Sequence, residues 1–170
     1  ERAMLAARAT DSAIRRADLG DLDQALADLR EAFRLSATPE TAYNLAVGWE
    51  LAAMTDWAEV AYRTALQLDP QHADAGLNLS NLLVAEGRDL EALALYRDVS
   101  ESCSDDGAIA FNHANLLASL DDFDHAIAEY RRAQELLPAE AAPRVNLRLV
   151  RKRKRAKFWK HALPRGPRAR

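Results

Sequence analysis

Cysteine is almost absent from this 170-residue chain, which has only Cys103. An intramolecular disulfide is therefore excluded, and a cytoplasmic compartment is the expectation. No uninterrupted apolar run approaches the roughly 18 residues that a membrane span needs. Arg2, Arg8 and Asp11 interrupt the first residues, which do not read as a secretory signal. Because the chain begins at Glu1, it is read as an excised or processed segment. A Gly-rich phosphate loop is lacking, and no Ser/His/Asp set can be placed in one pocket. The 4 histidines (His72, His113, His125, His161) fall at spacings that do not suit a metal. The expectation is no enzyme, no metal and no cofactor.

Negative charge is missing from the C-terminal end, and lysine from everything before it. No lysine precedes Lys152, and no acidic residue follows Glu140. Residues 1–140 hold all 26 acidic residues and 11 of the 23 basic ones, a balance of −15, while the remaining residues carry +12. An acidic body with a basic arm is a statement about partners rather than fold.

What is present is 49 % hydrophobic residues, mostly Ala and Leu, with few β-branched side chains. That composition favours helix. Asn44, Asn78, Asn112 and Asn146 recur every 34 residues. No helix or strand has such a period, so one supersecondary unit is repeated. In this register Ala58, Ala92 and Ala126 share a position, as do Tyr62, Tyr96 and Tyr130, and then Ala65, Val99 and Ala133. Small residues let a second helix approach closely, and the tyrosine between them fills the remaining gap. The turn glycine is present as Gly20 and Gly87 but is replaced by Ala53 and Asp121.

This pattern resembles the tetratricopeptide repeat (TPR), a helix–turn–helix unit of 34 residues. The resemblance implies an all-α, right-handed α-solenoid of antiparallel helix pairs. Four repeats are expected at 6–38, 39–72, 73–106 and 107–140. A capping helix follows at 141–161, and 162–170, with two prolines and a glycine, is expected to be disordered. In each repeat the first helix is called A and the second B.

On the A helices one stripe (Ala42, Leu45, Ala46, Trp49 and their equivalents) is small or apolar, as a packing face should be. The neighbouring stripe carries Asn44 and Val47, then Asn78 and Asn81, then Asn112 and Asn115, and finally Asn146. In TPR superhelices the A helices line the concave surface, so the resemblance places this stripe in a groove. An amide offers one acceptor and two donors, which matches a peptide backbone. The ladder is similar to the inner-face asparagines of O-GlcNAc transferase superhelices, which grip a peptide backbone. Tyr43, Leu77 and Phe111 flank it as apolar pockets, and Asp11 interrupts it in the first repeat. The stripe holds no Lys or Arg in the repeats, which argues against the carboxylate clamp of chaperone-binding relatives. A purely structural role for the amides, bridging adjacent repeats, remains open.

The basic arm concentrates at Arg151, Lys152, Arg153, Lys154, Arg155, Lys157 and Lys160, beside Phe158–Trp159. Such a run suits an anionic membrane, nucleic acid or nuclear import, or it neutralises the acidic body as a solvated cap. The function expected is a scaffold that holds a protein or peptide partner in its groove. The alternatives are recruitment to lipid or nucleic acid by the basic helix, and homotypic assembly.

Overall fold

The computed structural model describes residues 1–162 and is all-helical over them. The helices are α1 (Arg2–Asp18), α2 (Leu22–Leu35), α3 (Pro39–Leu51), α4 (Thr55–Leu68), α5 (Ala73–Ala85), α6 (Asp89–Ser102), α7 (Gly107–Ser119), α8 (Phe123–Leu136) and α9 (Ala141–Ala162). Ala162, expected at the start of a disordered tail, closes α9, and 163–170 lie outside the described residues.

The chain divides into two compact units, Glu1–Ser102 and the part from Cys103 onward. In the first, α1 to α6 pack each on the next. In the second, α8 packs on both α7 and α9. Loops of three or four residues within each unit leave consecutive helices antiparallel.

The A-to-B turns share one geometry. Gly20, Ala53, Gly87 and Asp121 all adopt positive φ, at 81°, 57°, 75° and 62°. At each turn the following residue's N–H reaches back to the helix, as Met54 does to Trp49 (2.9 Å) and Asp122 to Leu117 (2.9 Å). These 6→1 bonds close Schellman motifs, which satisfy carbonyls that a helix end would otherwise leave open. Losing the glycine in two turns has therefore not changed the turn. Helices α2 and α8 begin behind side-chain caps at Asp21 and Asp122, α4 begins without one at Met54, and α3 begins with a Thr38–Thr41 capping box.

The core follows the small positions. Ala58, Tyr62, Ala65, Ala92 and Ala126 are fully buried, and Tyr96 and Tyr130 nearly so. The apolar A-helix stripe is buried at Ala42, Ala46, Trp49, Gly76, Leu79, Ser80, Leu83, Ala110, His113, Ala114 and Leu117. His113 packs there with Nδ1 3.7 Å from Glu129 Oε2. Gly76 is needed for close approach, because a Cβ would stand 2.6 Å from Val99 Cγ2. The capping helix α9 buries Pro143, Leu147 and Val150.

Candidate functional site

The asparagine stripe lies on the other side of the A helices from this core. Asn44, Val47, Asn78, Asn112, Asn115 and Asn146 are half-buried, and Asn81 is exposed. The amides are not equivalent, because buried tyrosines and neighbouring amides have engaged different parts of them.

In the first unit Tyr62 donates its hydroxyl proton to Glu50 Oε2 at 2.6 Å. Asn78 Nδ2 donates to the Tyr62 oxygen at 3.3 Å and to the Tyr43 hydroxyl at 3.4 Å. An ionised carboxylate only accepts, so Tyr62 must be the donor to Glu50 and can only accept from Asn78. That fixes the amide orientation: both donors of Asn78 point inward and its carbonyl remains open. Burial pushes the Tyr62 hydroxyl well above its ordinary range, and the bond to Glu50 adds to this, so it is a protonated donor at neutral pH.

Asn81 shows the opposite polarity. Its carbonyl accepts from Tyr96, leaving the amide donors outward. Burial likewise pushes the Tyr96 hydroxyl upward. The side-chain amide of Asn44 has no hydrogen-bond partner among the described residues. It lines a cavity of about 100 Å³ with Ala13, Ile14, Leu22, Val47 and Leu51.

The second unit carries a short hydrogen-bonded row. Asn115 Oδ1 accepts from Tyr130 at 2.7 Å and from Asn146 Nδ2 at 3.0 Å. Its own amide donates to Asn112 Oδ1 at 3.5 Å, which leaves the Asn112 donors open. Asn115 and Asn146 therefore tie α7, α8 and α9 together. Phe111 is half-buried with its ring 6.0 Å from Tyr130, and Leu77 is half-buried on α5.

Three of the expected groove residues, Tyr43, Val47 and Asn78, do converge. With Glu50, Leu51 and Tyr62 they line an open pocket of about 500 Å³ between α3, α4 and α5. Sequence reasoning missed Glu50, although a lone acid within the apolar run of α3 was a usable signal. It also treated the repeated tyrosines as space-fillers, whereas their hydroxyls orient the amides.

The basic helix is divided by its own periodicity. Arg153 and Lys157 reach Asp121 at 3.1 and 3.0 Å, and Lys154 reaches Asp124. Arg153 and Lys157 also stand over the Phe123 ring, at 5.2 and 5.4 Å. These three cations tie α9 to the turn and start of α8. Arg151, Lys152, Arg155 and Lys160 are exposed and have no acidic partner among the described residues.

Residues 108–139 match the tetratricopeptide repeat family model. A tetratricopeptide repeat protein from Parabacteroides merdae superposes with TM-score 0.79 at 16 % identity, over 91 % of this chain and 62 % of that one. The fold is a TPR fold. MamA from Desulfovibrio magneticus matches over 92 % of this chain and 90 % of its own, at 19 % identity and TM-score 0.73. YrrB, described as a TPR protein with an unusual peptide-binding site, matches over 86 % of this chain and 77 % of its own, at 21 % identity and TM-score 0.68. No curated protein matches the sequence significantly. The matched TPR segment covers α7 and α8, including Asn112, Asn115 and Tyr130. No helix among the described residues is long and apolar enough to cross a membrane.

Proposed function

We propose that this chain is a non-catalytic protein-interaction scaffold that holds an extended or helical segment of a partner on the asparagine-bearing face of its A helices. Four TPR units at 6–38, 39–72, 73–106 and 107–140, with α9 as the cap, would present that face. The reading is carried by the hydrogen-bonding capacity still open there. The Asn44 amide is wholly unengaged, Asn78 and Asn146 keep a carbonyl, and Asn81 and Asn112 keep donors. A face that keeps both donors and acceptors suits a peptide backbone, which carries both. The likeness to YrrB, itself described by its peptide-binding site, points in the same direction.

The test separates binding from stability by choosing amides that hold little of the fold. Peptides selected from a random 12-residue display library on the intact chain would be measured against Asn44→Ala and, separately, Asn112→Ala. One open amide, at roughly 0.5–1.5 kcal/mol, predicts that much lost affinity in the variant of the unit that holds the peptide, with an unchanged melting temperature. Unchanged affinity in both variants would refute the reading.

A second reading is favoured by the free side of α9. Arg144, Arg148, Arg151 and Arg155 are exposed and succeed one another at intervals of four, three and four residues. On a helix this gathers them within about 60° of arc, centred about 100° round from the mean direction of buried Leu147 and Val150. Phe158 and Trp159, 65 % and 59 % exposed, flank that arc near the end of the helix. Cations beside amphipathic rings suit an anionic bilayer, at about 1 kcal/mol per cation. Sedimentation with phosphatidylserine vesicles should fall sharply for Arg148→Glu with Arg151→Glu and moderately for Phe158→Ala with Trp159→Ala. Equal loss on duplex DNA, with no effect of the aromatic pair, would reassign the surface to nucleic acid.

A further inference from the structure

We propose that the pocket between α3, α4 and α5 receives a lysine or arginine side chain of the bound segment. The inference rests on the peptide-binding reading of the A-helix face and specifies one side chain of the ligand. It follows from what the lining residues have left to offer.

The chain of hydrogen bonds through the pocket runs in one direction, from Asn78 Nδ2 to the Tyr62 oxygen and from the Tyr62 hydroxyl to Glu50 Oε2. Every donor of Asn78 and Tyr62 is thereby turned inward. The capacity facing the opening consists of Glu50 Oε1 and Asn78 Oδ1, both acceptors, with the Tyr43 hydroxyl as the single remaining donor. A ligand group must therefore bring several N–H donors, and lysine and arginine bring three and five.

Charge selects in the same sense. Glu50 is exposed and has no basic partner among the described residues. It differs in this from Glu59, Glu86 and Glu91, whose carboxylates are all gathered around Arg88. Burial raises the Tyr43 hydroxyl above its usual range, and the negative charges of Asp74 and Glu50 push the same way. The pocket field is thus negative, and an anionic side chain would be repelled. An apolar side chain would fill the opening but would strip water from Glu50 without replacing its hydrogen bonds, which is unfavourable.

The shape suits a long cationic side chain. Val47 and Leu51 provide apolar wall for the methylene stem, as lysine and arginine stems prefer. The half-buried Tyr43 ring, 6.0 Å from the buried Tyr62 ring, adds an aromatic stretch to that wall.

The experiment uses the display library on the full chain and on Glu50→Gln. Glutamine keeps an acceptor for Tyr62 and removes only the charge, and a melting curve checks that the variant is folded. Wild-type selections should fix a lysine or arginine at one position of the aligned peptides. Replacing that residue by norleucine should weaken binding to the wild type by about tenfold or more. The same replacement should be nearly silent on Glu50→Gln. If peptides are selected with no basic preference, or if the preference is undiminished in Glu50→Gln, the pocket assignment is wrong while the scaffold reading stands. If no peptide is selected, both are wrong.

Discussion

Tyr62 hands its proton to Glu50 across 2.6 Å, and this one bond decides how the neighbouring amide of Asn78 can be used. With the hydroxyl proton committed, the Tyr62 oxygen must accept, so Asn78 faces it with nitrogen and turns its carbonyl outward. In the second unit Tyr130 donates to the carbonyl of Asn115, and that amide becomes a link between helices. The same residue type on the same stripe thus keeps an open acceptor in one place and is a structural tie in another. The difference is set by which part of it a buried tyrosine engages.

Removing the hydroxyl should therefore destabilise the first unit. Tyr62→Phe deletes a bond to a charged acceptor and leaves an Asn78 donor without its partner. A cost of about 1–2 kcal/mol is expected, moderated because Glu50 is exposed and can turn to water. Urea denaturation measures it. Tyr43→Phe, whose contact with Asn78 is long at 3.4 Å, should cost less than half as much. Equal costs for the two would show that the Glu50 bond contributes nothing special.

The A-to-B turns offer a change in the stabilising direction. Ala53 holds φ at 57°, where its Cβ is strained, whereas Gly20 and Gly87 occupy the same position of the motif without penalty. Ala53→Gly should relieve about 1–2 kcal/mol of left-handed strain. The greater freedom of glycine in the unfolded chain offsets part of this, leaving a gain of roughly 0.5–1 kcal/mol. The urea midpoint should rise with its slope unchanged. A lower midpoint would mean that the turn is not strained by alanine.

The helix pairs were legible in the sequence because packing repeats with the chain. Ala58, Ala92 and Ala126 are small at one point of the 34-residue period, and each is fully buried. The role of each asparagine was not legible, because its partners lie far away in sequence. Asn81 meets Tyr96, Asn115 meets Tyr130, and Asn78 meets Tyr43, separations of 15, 15 and 35 residues. Asn44, Asn78 and Asn112 look identical until those partners are placed. The division of the basic run was not legible for a related reason. In RKRKRAKFWK every residue but Ala156 is charged or aromatic, and only contacts distant in sequence show that one side of the helix meets Asp121 and Asp124.

Two buried glycines should respond differently to the same substitution. At Gly76 a Cβ meets both γ-methyls of Val99, at 2.6 and 2.7 Å, and a β-branched side chain has little rotamer freedom to retreat. Gly76→Ala should cost about 1–3 kcal/mol despite its better helix propensity. At Gly48 the Cβ meets the ends of Leu29 and Leu26, at 2.5 and 3.1 Å, which can rotate aside. Gly48→Ala should be the milder change, and combining Gly76→Ala with Val99→Ala should recover part of the loss. Thermal melts of the four proteins decide this, and equal costs at the two glycines would contradict it.

The tie between α9 and the preceding turn should reveal itself in acid. Lys157 hydrogen-bonds the Asp121 carboxylate and, with Arg153, holds its pKa below the usual carboxylate value. A carboxyl with a depressed folded-state pKa contributes stability that is fully present above its unfolded pKa of about 3.9 and is lost as pH falls through the folded value. Asp121→Asn keeps a side chain that tolerates positive φ, so the backbone of the turn is nearly unchanged. The variant should melt below the wild type at neutral pH and low salt. The gap should narrow as pH falls below about 3.9 and through the depressed folded value, and should shrink in about 1 M salt, where exposed charges are screened within about 3 Å. A gap that persists under both conditions would place the role of Asp121 in the turn itself and not in its bonds to Arg153 and Lys157.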